Sequence, residues 1–82
     1  MYLKFALTTE RSVSLIEKEN KMVFVVDKKA SKLDVKEEVE RMYKEKVASV
    51  NTQIDLKGRK KAFVRFARKN AAADVAAKLK LI

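Results

Sequence analysis

The chemistry available to this chain is concentrated in residues 55–69, DLKGRKKAFVRFARK. Lys57, Arg59, Lys60, Lys61, Arg65, Arg68 and Lys69 lie there, and no carboxylate occurs from residue 56 to residue 73. With no neighbour in sequence to balance these cations, an external polyanion is expected to neutralise them, releasing its condensed counterions. A period-two strand puts Lys61, Phe63 and Arg65 on one face and Ala62, Val64 and Phe66 on the other. The first face suits phosphates and a planar base; the second suits a core. An exposed edge strand also carries lysines, which block pairing with other chains, but that role does not require a local excess. The 20 Lys and Arg against 11 Asp and Glu give a net charge of +9, and outside the seven cations named the two signs nearly cancel. Basicity confined in this way marks a binding face.

Missing residue types exclude other chemistries. There is no cysteine and no histidine, so disulfides, thiolate metal sites and the Ser-His and Cys-His nucleophile pairs are ruled out. The helical carboxylates, such as Glu37 with Arg41, read as exposed pairs worth a few tenths of a kcal/mol each. No enzyme activity, catalytic residue, metal or cofactor is expected. No apolar run approaches the roughly 18 residues of a membrane span and no signal-peptide core is present, which predicts a cytoplasmic protein without membrane insertion. The 82 residues read as one domain, 1–82, burying about 60–65% of its unfolded surface.

The elements that must position the basic stretch follow from periodicity. Residues 2–7 alternate Leu3, Phe5 and Leu7 against Tyr2, Lys4 and Ala6, a strand with one buried face. Thr8 or Thr9 caps a helix over 10–18 with Val13, Ile16 and Leu15 inward. Residues 22–26 are apolar throughout and fit a central strand covered on both faces. Ser31 and Asp34 resemble a capping box opening a helix whose stripe is Val35, Val39, Met42 and Tyr43. Residues 47–54 alternate Ala48, Val50, Thr52 and Ile54 with Ser49, Asn51 and Gln53. Gly58, the single glycine, marks a hairpin tip. After the basic strand, Asn70 caps an alanine-rich helix over 71–79. The order β-α-β-α-β-β-α predicts an α/β fold of the α+β kind, with an antiparallel four-stranded sheet and helices covering one face. Ser49, Asn51 and Gln53 then adjoin Lys61, Phe63 and Arg65 in one polar, basic platform.

Thr9-Glu10-Arg11-Ser12 after the first strand, Val50-Asn51-Thr52 in the third and Lys60-Lys61-Ala62-Phe63-Val64-Arg65 in the fourth resemble the large-subunit ribosomal protein family twenty-three, in its compact archaeal form. The resemblance covers essentially the whole chain. It implies an α/β sandwich that binds large-subunit rRNA beside the mouth of the polypeptide exit tunnel. It also implies a monomer within the ribosome, with ribosomal protein number twenty-nine alongside and with the signal recognition particle and the protein-conducting channel docking nearby. Arg11 stands where lysine is common, Phe63 where tyrosine is frequent, Phe66 where leucine is usual, and Lys44 and Lys80 where relatives often have glycine. The short Leu56-Lys57-Gly58-Arg59 loop argues against the tunnel-lining role of the longer bacterial hairpin.

The expected RNA contacts are Lys57, Arg59, Lys60, Lys61, Phe63 and Arg65, with Asn51 and Thr52 beside them and Lys28, Lys29 and Lys32 as a second basic group. Glu10, Arg11, Ser14 and Glu17 are the expected docking residues for exit-site factors. Two alternatives remain at this level. Residues 59–66 partly match the octapeptide of RNA-recognition motifs at Arg59, Ala62, Phe63, Val64 and Phe66, which suggests a single-stranded RNA module. A basic protein-interaction module using the first helix is the other.

Overall fold

The computed structural model describes residues 2–79 and has β1 (Leu3–Ala6), α1 (Glu10–Glu19), β2 (Lys21–Val26), α2 (Lys32–Tyr43), β3 (Val47–Ile54), β4 (Lys60–Phe66) and α3 (Ala71–Lys78). The strands form one antiparallel sheet in the order β1-β2-β4-β3. The apolar run of β2 takes an inner position, and its residues 22–26 are each at most 4% exposed. Met22, Phe24 and Val26 pack with Ala62, Val64 and Phe66 of β4, Val35 and Val39 of α2, and Val75 and the alanines of α3. Small alanines let α3 approach the sheet closely. Phe24 also stacks on Tyr43, ring centroids 6.2 Å apart.

Two bulges alter the alternation expected from sequence. Leu3 pairs with Val26 but Phe5 pairs with Val25, so one extra residue, Lys4, shifts the phase of β1. Leu3 and Ala6 therefore both pack against the core, and Phe5, expected inside, is 51% exposed. A second bulge separates Val47, opposite Phe66, from Ser49, opposite Arg65. It buries Val47 and leaves Ala48 exposed.

The helices are capped by local chemistry. Thr9 accepts from the Ser12 amide, and Ser31 and Asp34 form the expected reciprocal box. α2 ends on Lys44 at φ 55°, the left-handed conformation that glycine enters most easily. Lys80 lies outside the described residues. Asn70 precedes α3 but its side chain makes no capping bond. That service comes from Asn20, whose Oδ1 accepts from the Ala72 amide at 2.9 Å. Glu38 is not one of the exposed helical carboxylates that the spacing suggested. It is 3% exposed and accepts from the Tyr2 and Leu3 amides, tying the first strand to α2. Helical cover is not confined to one face either. Ile16 of α1 joins the main core, while Arg11 and Leu15 of the same helix border a hollow with Val23 and Phe63 on the opposite face.

Candidate nucleic-acid interface

Pairing registers fix the side chains of the sheet face turned away from α2 and α3. Phe5, Val25, Lys61 and Gln53 form one row across the sheet. Val23, Phe63 and Asn51 form the next, and Lys21, Arg65 and Ser49 the third. Val23 and Val25 are buried, Phe63 is half-buried, and Arg65, Ser49, Asn51 and Gln53 are exposed. The expected platform is thus assembled, with Lys21 added by β2. Phe63 stands at its centre, on the open face and not in the main core.

α1 adds a residue to this face. Arg11, grouped by sequence with the docking residues, borders Phe63 together with Gln53 and also lies near Lys21 and Asn51. Only the path of the chain around the end of β1 brings it there. Glu10 and Glu17 are exposed and Ser14 is half-buried, on the helix stripe that spacing of four and three residues predicts.

The hairpin is closed by its own chemistry. The Gly58 amide donates to the Asp55 carbonyl and the Asp55 amide to the Arg59 carbonyl. Gly58 sits at φ 81°, completing a three-residue loop that needs one left-handed position. Asp55 accepts from the Lys57 and Arg59 amides and from the Arg59 guanidinium, all within 3.1 Å. Lys61 lies 3.8 Å from the same carboxylate. The Arg59 amide first, then the Arg59 guanidinium and the Lys57 amide, hold the Asp55 carboxyl below its ordinary range. A group made more acidic by folding contributes fully above its unfolded value near 4, and that contribution is lost as pH falls through the lower folded value. The Lys57 and Arg59 amide resonances are therefore expected to titrate together with a midpoint below about 3.9. A midpoint at or above that value contradicts this closure.

Counter-charges do reach part of the basic stretch, which corrects the expectation that only an external polyanion would. Folding brings Asp55 to Arg59 and Lys61, and brings Glu45 and Asp74 to Arg68 at 2.6 and 2.7 Å. The two carboxylates hold the Arg68 guanidinium more firmly protonated, and its hydrogen bonds push the Glu45 carboxyl down. Lys60, in register with Val26 and Ile54, turns to the packed side, where its Nζ donates to the Ala30 carbonyl at 2.5 Å. Thr52, opposite Ala62, also faces the packed side and is half-buried. Among the described residues, Arg11, Lys57, Arg65 and Lys69 make no ion pair. Lys28, Lys29 and Lys32 are exposed, and the Lys28 ammonium lies 3.6 Å from where a Gly58 Cβ would stand. Lys28 of the second basic group thereby joins the hairpin tip.

The family model for ribosomal protein L23 matches residues 2–80. The chain is 42% identical to the large ribosomal subunit protein uL23 of Methanococcus vannielii, over 94% of this chain and 90% of that one. It is 44% identical to the uL23 of Pyrobaculum aerophilum, over 94% and 95%, and 43% identical to that of Methanococcus aeolicus, over 94% and 90%. The span matched by the family model includes every element described.

Proposed function

We propose that this chain, which belongs to the ribosomal protein L23 family and is a structural, non-enzymatic constituent of the large ribosomal subunit in the cytoplasm, grips large-subunit rRNA with its open sheet face near the polypeptide exit tunnel. The observation that carries this reading is the clustering of Arg11, Lys21, Lys61 and Arg65 around one half-exposed ring. Such a surface meets phosphates with its rim and a base with its centre. Asn51 and Gln53 add amides that hydrogen-bond sugar or base edges. Lys57, Arg59 and Lys28 extend the contact at the hairpin tip, and Lys29 and Lys32 add exposed charge to it. Lys60 and Thr52 support the hairpin from its packed side and contribute to RNA affinity through it. The single-stranded RNA module and the free-standing interaction module give way to the family.

Glu10, Ser14 and Glu17 occupy the other flank of α1 and are assigned to docking the signal recognition particle and the protein-conducting channel, with ribosomal protein number twenty-nine as a neighbour. The position of Arg11 beside Phe63 and Gln53 supports assigning it to the RNA side instead. The absence of cysteine permits a direct test, because one introduced thiol is unique. In large subunits rebuilt with Gln53→Cys carrying a tethered iron chelate, hydroxyl radicals are expected to cut rRNA close to the exit. The same probe at Glu17→Cys should cut rRNA weakly, and a photo-crosslinker there should capture an exit-site factor. Strong rRNA cleavage from position 17 with none from position 53 would reverse the two faces.

A further inference from the structure

The open face is not flat at its centre. Between α1 and β4 it holds a hollow of about 140 Å³, several times the roughly 30 Å³ share of a water molecule. Its lining is mixed: Leu7, Leu15, Val23 and the Phe63 ring share it with Thr9, Arg11, Gln53 and Lys61, and polar atoms make up most of the surface it exposes. Ser12 is already committed, since its hydroxyl donates to the Leu7 and Thr9 carbonyls. Among the described residues, no carboxylate borders the space. Phe63, Arg11 and Gln53 also border a second hollow on the β3 side, together with Lys21 and Asn51.

A hollow that sets an aromatic ring and aliphatic side chains beside cations and an amide fits a flat, polar-edged ring attached to an anion. An aliphatic peptide side chain would leave Arg11 without an opposite charge, Lys21 having Glu19 at 3.2 Å, and an acidic one would leave the Phe63 ring without a stacking partner. On this basis we infer that the hollow seats a single unpaired nucleotide of RNA, its base inserted against Phe63 and its phosphate held over the neighbouring hollow by Arg11 and Lys21. The base gains an aromatic contact of a kind worth about 1–3 kcal/mol in other single-strand sites, and Gln53 reads its edge. Duplex RNA offers no such group, so the seat selects a bulge or a loop. This inference rests on the open face being the RNA face and adds to it the one nucleotide that the face selects.

The test uses large subunits rebuilt with the parent protein, Phe63→Leu, Phe63→Tyr or Leu15→Phe, probed with dimethyl sulfate and a carbodiimide that modify unpaired base edges. At least one base is expected to be protected by the parent and by Phe63→Tyr, which keeps the ring. It should become several-fold more reactive with Phe63→Leu, which removes the ring, and with Leu15→Phe, which fills the slot from the opposite wall. Occupancy of each protein is measured on the same particles. Unchanged base reactivity with both disruptive variants fully incorporated overturns the nucleotide seat while leaving the RNA face intact. Absence of rRNA protection by the parent itself overturns both.

Discussion

Replacing Asn20 with alanine is expected to lower stability by about 2–4 kcal/mol, a large share of the roughly 5–15 kcal/mol that holds a small domain folded. Asn20 ends α1 at φ 56°, a left-handed conformation costing a residue with a Cβ about 1–2 kcal/mol unless its side chain bonds locally. Its amide group donates to the Phe66 and Arg68 carbonyls at 3.1 and 2.8 Å and accepts from Ala72. Its own carbonyl accepts from the Phe66 amide. One residue thereby fixes the end of α1, the end of β4 and the start of α3. Each lost bond costs about 0.5–1.5 kcal/mol, and the stranded carbonyls and amide add to that. Asn20→Gly keeps the backbone conformation and should be about 1 kcal/mol less harmful than Asn20→Ala. Urea or thermal unfolding measures both, with a fall in Tm of roughly 10 °C or more for alanine. A change within 0.5 kcal/mol, about the spread of ordinary surface substitutions, would show that this junction does not unite the three elements.

The fold was legible in sequence where a single period ran uninterrupted. Residues 22–26 read as a doubly covered strand because nothing polar intervenes, and the Ser31 box and Gly58 tip read correctly because each is settled within a few residues. What escaped was set by contacts distant in sequence. Nothing near Lys4 or Ala48 signals a bulge, so Phe5 was assigned to the core and Val47 passed over. Asn20 looks like an ordinary helix stop, and its partners are 46 to 52 residues away. Glu38 carries the helical spacing of an exposed charge, yet its acceptor role is set by β1 lying over α2.

The candidate site was legible to a similar extent. The alternation of Lys61, Phe63 and Arg65, and of Ser49, Asn51 and Gln53, gave the platform. Lys21 stands two residues before Val23 and was within reach of the same period. Arg11 was not, because its place depends on how α1 leaves β1. Charge counting along the sequence also overstated the free cations, since Glu45, Asp55 and Asp74 are brought back only by folding.

The central claim is that the open face binds rRNA through its phosphates, and the dependence of affinity on salt tests it most directly. Each phosphate neutralised contributes close to one unit to the slope of log affinity against log salt. Lys61→Gln with Arg65→Gln removes two cations of the open face without touching Lys60, whose ammonium serves the Ala30 carbonyl. Lys36→Gln with Arg41→Gln removes the same charge from α2. Binding of a fragment of large-subunit rRNA is measured at several salt concentrations for the parent and both double variants. The account predicts that the open-face variant weakens binding by about tenfold or more at low salt and reduces the slope by roughly one to two units, while the α2 variant keeps the parental slope. A parental slope in the open-face variant, with the loss appearing instead on α2, would contradict it.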